Sequence, residues 1–277
     1  MHITVTLLKQ LVFKNKYCRY GKPAKKKRVN LEYFDNEVNL GDVLSPVICN
    51  WMLDKFSLSF DKKTARTHHL MAVGSILGGN GFFDATVWGS GIKGLDQIAS
   101  LSKRRYFQKL DIRSIRGPLT REALIACGYK CPEVYGDPAV LMPHIYNPSV
   151  EKTCEIGVVL HFKHNVVLPA DVKSIDICTD DYKKFINDLS CCKKIISSSL
   201  HGIILAETYG VPTVFWAEGR DSEMFKYYDW YYSTGRKNIK MAFSLEEAIK
   251  MAPMELPDIA KMQNDISSAF PYDLWDS

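Results

Sequence analysis

The segment IISSSLHGIILAETYGVPTVFW, residues 195–216, puts a histidine where charge and proton chemistry are easily done. A buried strand runs into Ser197, Ser198 and Ser199. His201 and Gly202 then open an almost wholly apolar helix, which Gly210 closes as a left-handed C-terminal residue. Only Glu207 and Thr208 are polar, so this helix must be buried on most sides. Its first turn offers unpaired N–H groups and the positive end of a helix dipole beside Ser198, Ser199 and His201, which favours an anion. A histidine there can hold a phosphate or carboxylate, or move a proton near neutral pH. The plainer alternative is that His201 caps the helix while the serines satisfy backbone groups.

The stretch DIRSIRGPLTRE, residues 111–122, supplies a cation. Arg113 and Arg116 are expected on opposite faces of a strand. Arg116 is the last side chain before a Gly-Pro turn, and a guanidinium at a strand's carboxyl end can grip a carboxylate or phosphate with two bonds. Arg113 reads as structural. Asn39-Leu40-Gly41-Asp42 is a third candidate: it reads either as a helix cap or as a site in which Asp42 acts on an acceptor. Two glycine-rich turns, Gly78-Gly79-Asn80-Gly81 and Gly89-Ser90-Gly91, allow close backbone approach to a ligand. Neither has the spacing of a dinucleotide or ATP phosphate loop. The aromatic run of residues 225–232 suits core burial or stacking on sugar faces.

A β-then-α rhythm must position these groups. Strands are expected at 3–8, 69–76, 86–88, 110–115, 155–162, 194–197 and 214–216, with a strand and turn at 134–142. Helices are expected at 40–56, from Gly117-Pro118 to Gly128, at 181–189, 202–209, 244–251 and in the tail 258–269. Ser244 followed by Glu247 is a capping box. The rhythm lapses into Pro, Asn and Ser around 143–153 and then restarts, so the expected fold is α/β with two Rossmann-like lobes of parallel strands, residues 1–145 and 146–277. The second includes a C-terminal helix that could pack back on the first. Ligands of such folds sit beyond the carboxyl ends of strands, here in the cleft between lobes.

Composition limits the remaining options. The 277 residues are 46% hydrophobic and 24% charged, as in ordinary globular proteins, and no apolar stretch is long enough to span a membrane. No secretory leader is evident, so the expected location is cytoplasmic. The net charge of +5 is local. Residues 1–30 carry nine Lys and Arg and no acid, leaving the rest of the chain acidic. This basic run reads as a solvated loop or as a patch for anionic headgroups or phosphorylated sugar carriers. Without a recognised motif it does not indicate nucleic acid. The eight cysteines form no C-x-x-C pair, and His68-His69 and His161-x-x-His164 lack supporting ligands, so no metal is expected.

NLGD at 39–42, the two glycine turns, IRGPLTREALIACG at 115–128, GDPAVLMP at 136–143 and SSSLHGIILAETYGVPTV at 197–214 together resemble the polysaccharide pyruvyl transferase family, most closely its succinoglycan-type members. The resemblance implies a GT-B-like two-lobed architecture and transfer of pyruvate from phosphoenolpyruvate to two hydroxyls of a sugar, usually in a lipid-linked repeat unit, during exopolysaccharide or capsule synthesis. The donor is a substrate, and no cofactor is implied. The implied partners are the lipid-linked oligosaccharide and, peripherally, the cytoplasmic face of the inner membrane. The family histidine falls on His201 and its strand-end arginine on Arg116. With Asp42 these form the expected catalytic set, and Asn39, Gly79, Asn80, Ser90, Ser198, Ser199 and Gly202 are the expected substrate-binding residues. Many members carry an acid directly after the arginine, where this chain has Gly117. The alternatives are a GT-B glycosyltransferase using a nucleotide sugar, and a non-catalytic carbohydrate-binding protein.

Overall fold

The computed structural model describes residues 28–34, 37–61, 67–79, 84–106, 108–162, 164 and 166–276. The expected strand 3–8, nearly all of the basic run 14–28, and Asn80 lie outside these residues. The architecture is the expected α/β one, with two wholly parallel sheets.

The first sheet orders its strands sequentially: β1 (Val29–Glu32), β2 (His68–Met71), β3 (Ala85–Trp88) and β4 (Leu110–Ser114). Helices α1 (Leu40–Asp54), α2 (Leu95–Arg104) and α3 (Pro118–Ala126) follow β1, β3 and β4. Asn39 caps α1, its side-chain oxygen accepting the Gly41 N–H at 3.0 Å. Pro118 opens α3, where its missing N–H costs nothing.

Two expectations need correction here. The apolar run 69–76 is strand only to Met71, because Gly74 takes a left-handed φ of 105° and turns the chain toward Asp42. Residues 134–142 contribute only a single bridge, Tyr135 to Ile115. The Asp137 carboxylate then caps a 3-10 turn, Pro138–Leu141, which runs into α4 (Met142–Ile145).

The second sheet has the order β6-β5-β7-β8-β9: β5 (Cys154–Val159), β6 (Lys173–Ile175), β7 (Cys192–Ser197), β8 (Thr213–Trp216) and β9 (Met241–Ala242). Helices α5 (Tyr182–Ser190), α6 (Leu200–Thr208), α7 (Met224–Ser233) and α8 (Leu245–Lys250) connect or flank these strands, and α9 (Ala260–Ser268) ends the helical chain. Asp181 caps α5. At α8, Ser244 Oγ accepts the Glu247 N–H as the capping box expected from sequence requires, while the Glu247 carboxylate reaches back one residue further, to the Phe243 N–H. Gly210 ends α6 at φ 69°.

A single apolar cluster joins the two sheets. Leu40, Leu44, Ile48 and Met52 of α1 share it with Phe185, Ile186, Ile203 and Leu205. The Leu40 N–H also donates to Ile177 O across the boundary, at 2.9 Å. The C-terminal segment returns to the first sheet's side: Trp88 Nε1 donates to Ile266 O, Gln263 to Val140 O and Trp275 to Ser59 O. Arg113 forms paired bonds to Asp273 and also bonds Asp111.

Candidate active site

The second sheet has a topological switch. From β5 the chain crosses outward to β6, and then returns across β5 to form β7 on its other side. A crevice between oppositely directed crossovers opens at the carboxyl ends of such strands. Val159 and Ser197 end those two strands, so His161, Ser198, Ser199 and His201 all emerge at the crevice. From the first sheet, the carboxyl ends of β2, β3 and β4 deliver Gly74-Ser75, Gly89-Ser90-Gly91 and Arg116.

His201, on the first turn of α6, packs closely against the start of α1. A Cβ on Gly41 would overlap its ring, so the glycine of the NLGD motif is what permits this approach. Its Nε2 lies 3.6 Å from Asp137 Oδ2. Asp137 is fully buried, and its other oxygen accepts the Ala139 N–H at 3.0 Å. Neither Nε2 nor Oδ2 has a hydrogen bond, and the two face each other just beyond hydrogen-bond distance. Asp42 sits beside them, near Gly74. Burial pushes its carboxyl up to about 6, against the opposing pull of His201 and Lys226. A carboxylate near neutrality beside an imidazole can exchange protons at physiological pH.

The second wall of the crevice is cationic. Glu223 accepts from Lys226 at 2.5 Å and pairs with Lys93 at 2.8 Å, His161 at 3.5 Å and Arg220 at 3.9 Å. Lys226 is almost completely buried, and burial lowers its ammonium to about 8 even though Glu223 supports the charge. Burial, with Lys226 beside it, holds His161 well below the usual histidine range. The Glu223 carboxyl is opposed by burial, but Lys226 and Lys93 outweigh that and keep it ionised. Buried Arg220 leaves its Nε without a partner.

Arg116 does not present a free guanidinium. It is completely buried: Nε donates to Asp229 at 3.2 Å, Nη1 to Ser75 Oγ at 2.6 Å and Nη2 to Ile92 O at 2.5 Å. The sequence expectation of an anion clamp is therefore corrected, since the partner carboxylate comes from Asp229 on α7. That carboxylate also accepts from the Thr120 N–H and hydroxyl, tying α7 to α3. Gly117 has its explanation here. A Cβ at 117 would collide with the Asp229 backbone carbonyl, so the residue after Arg116 must be glycine and the neighbouring acid is supplied from α7.

Most of the expected binding residues are occupied within the protein. Asn39 caps α1. Ser90 is buried and donates to Gly74 O. Ser198 Oγ accepts the His161 N–H and meets His164 Nδ1, while its carbonyl accepts from Tyr227. Gly202 is a packing glycine, since a Cβ there would strike Ser197 Oγ and Val159. Gly79 lies in the turn after β2, its N–H bonded to Ile76 O. Ser199 starts α6 without a side-chain cap bond and remains at the crevice. In the aromatic run, Tyr227, Trp230 and Tyr231 are fully buried and belong to the core. Sequence reasoning missed Lys93, Asp137, Arg220, Glu223 and Lys226. The signal for Lys226 was that it is the one cation inside an aromatic helix.

The family model described as polysaccharide pyruvyl transferase matches residues 35–218, well over half of the chain, including His201, Asp42, Asp137 and Lys93 but ending before Arg220, Glu223 and Lys226. The chain belongs to this family. Among curated proteins it is similar to an uncharacterized protein of Acanthamoeba polyphaga mimivirus, 27% identical over 222 residues and 74% of each chain. Among solved structures it is similar to a functionally uncharacterized protein of Klebsiella pneumoniae subsp. pneumoniae, with a TM-score of 0.48 and 12% identity over 82% of this chain and 93% of that one. Membership makes pyruvyl transfer to a polysaccharide the family activity to which the crevice must answer. Among the described residues no three His, Cys, Asp or Glu side chains gather as metal ligands, and no helix is long and apolar enough to cross a membrane.

Proposed function

We propose that the protein transfers a pyruvate ketal from phosphoenolpyruvate to two hydroxyls of a sugar in a polysaccharide precursor. One observation carries the reading: His201, backed by Asp137, and Asp42, with its carboxyl at about 6, stand together at the mouth of both sheets. The reaction needs a proton delivered to the methylene carbon of phosphoenolpyruvate and another removed from a sugar hydroxyl. His201 is the donor, and its transfer makes the central carbon electrophilic. Asp42 takes the proton of the attacking hydroxyl as its oxygen bonds to that carbon. The bond from carbon to phosphate oxygen then breaks, and the second hydroxyl closes the ring. Of the two hydroxyl protons, one replaces the proton given to the methyl group and one leaves with inorganic phosphate.

Support also comes from the electrostatics. A donor bearing a carboxylate and a phosphate needs cations and N–H donors, and the α6 N-terminus and the Lys226 wall provide both. A lipid-linked oligosaccharide is the expected acceptor, reached from the cytoplasmic side. The test is incubation with phosphoenolpyruvate and extracted lipid-linked oligosaccharide, following phosphate release and a mass gain of one ketal. His201→Ala and Asp42→Asn should each slow phosphate release by about 100-fold or more, the usual scale of a general acid or base. Unchanged release in both variants would remove the assignment.

A further inference from the structure

The proposed transfer leaves one requirement unassigned. The donor's anionic groups need a seat, and Arg116 is sealed against Asp229. The cationic wall has the chemistry to supply it. Lys226, Lys93 and Arg220 converge on a single carboxylate, Glu223, so its one negative charge answers three positive ones, two of them buried (Lys226 and Arg220) and the third, Lys93, at the open edge of the cluster. A buried charge without a counterion is costly, and such sites persist where a ligand completes them. Arg220 supplies an independent sign. Only 7% of its surface is exposed, yet its Nε has no partner, so a donor built to bond an oxygen is left over inside the cluster. Asp42 feels the charge of Lys226, so the cluster borders the proton-transfer pair within the same crevice.

We infer that Lys226, Lys93 and Arg220, gathered on Glu223, form the binding site for the carboxylate and phosphate of a small polyanion, phosphoenolpyruvate in the reading above, on which this inference rests. Glu223 neutralises one charge of the site and holds Lys226 in place, and the ligand neutralises the remainder. A guanidinium suits paired contact to a planar carboxylate or to phosphate oxygens, whereas the two ammonium groups act as point charges. The site lies on three separate stretches of chain: Lys93 before α2, Arg220 after β8 and Lys226 on α7. It therefore spans both sheets' loops, and a bound dianion would draw those loops together.

The experiment is calorimetric titration of the intact protein with phosphoenolpyruvate, inorganic phosphate and UDP-glucose. Each titration is repeated on Lys226→Met, Arg220→Gln, Lys93→Met and, as a control distant from the cluster, Arg113→Gln. Phosphoenolpyruvate should bind more tightly than phosphate. Its dissociation constant should rise at least tenfold in each of the three cluster variants and stay unchanged in the control. Lys93 is 41% exposed, so its variant will fold even if burial makes the other two unstable. Wild-type affinity in a folded Lys93→Met or Lys226→Met protein overturns the site, as does absence of any phosphoenolpyruvate binding to the wild type. UDP-glucose binding tightest, with the same dependence on the cluster, overturns phosphoenolpyruvate as the ligand. Cluster-dependent phosphoenolpyruvate binding with no ketal formed on any acceptor keeps the site and removes the transferase reading. Transfer that survives these substitutions unchanged removes the site and keeps the transferase.

Discussion

Replacing Asp229 by alanine should destabilise the protein far more than its single ion pair suggests. The carboxylate is fully buried and accepts three bonds: from Arg116 Nε at 3.2 Å, from the Thr120 N–H at 2.9 Å and from the Thr120 hydroxyl at 2.6 Å. Its loss leaves a buried guanidinium without a counterion and the Thr120 donors unpaired. Removing one partner of a buried pair costs about 3–5 kcal/mol, because the surviving charge stays desolvated. At about 2–4 °C per kcal/mol for chains of 150–250 residues, the melting midpoint should fall by roughly 6–20 °C. Replacing both partners, Arg116→Met with Asp229→Leu, removes the orphaned charge and should recover much of that loss, since apolar substitutes for a buried pair are often neutral. Urea or thermal melts of the wild type, Arg116→Met, Asp229→Leu and the double variant form a double-mutant cycle with a coupling of about 2 kcal/mol or more, within the range for groups in direct contact. A coupling near zero, or a double variant less stable than Asp229→Ala, would refute the account of Arg116 as a buried structural cation.

Four further outcomes follow from the crevice. The pH profile of kcat/KM should be bell-shaped: it rises through about 6 as Asp42 ionises to act as base, and falls through about 8 as Lys226 loses its charge. A flat profile between pH 5 and 9 would contradict both roles. Because the Asp42 carboxyl is raised in the folded protein, the folded state holds more protons than the unfolded chain from about pH 4 to 6. The contribution of Asp42 to stability should therefore fall as pH rises across that window, so the difference in stability between wild type and Asp42→Asn should shift against the wild type between about pH 4 and 6, read by urea melts of both at several pH values. Gly41→Ala should displace the His201 ring, costing about 1–3 kcal/mol of stability as an overpacking change and lowering turnover even in the folded fraction, checked by melts alongside phosphate release. Asp137→Asn should keep the Ala139 cap but weaken the hold on His201, so turnover drops while the affinity for phosphoenolpyruvate is preserved. A KM change with constant kcat would argue against it as a positioning residue.

The features legible in sequence were those encoded locally. Apolar runs ending in glycine marked β2 and β3, Gly117-Pro118 marked the start of α3, and the serine-histidine-glycine junction marked the helix that carries His201, whereas β1, β6 and β9 were too short to stand out. Asn39 and Asp42 lie within one motif, and each had a reading that the geometry can be set against. The Arg116 environment was not legible, because its partner Asp229 lies 113 residues away and only tertiary packing brings the two together. The cationic wall was hidden for the same reason: Lys93 and Arg220 each look like an isolated surface charge within their own segment, and Lys226 stands out only as the cation of an aromatic run. Gly74 defeated the strand assignment because a glycine inside an apolar run does not reveal that it bends the chain.

The apolar cluster that runs unbroken from α1 into α5 and α6 bears on how the molecule comes apart. Separately expressed halves would each expose a greasy face that the other normally covers, and should associate or precipitate rather than persist as independent folding units. The intact chain should accordingly lose its structure in one cooperative step, with no half-folded species surviving at equilibrium.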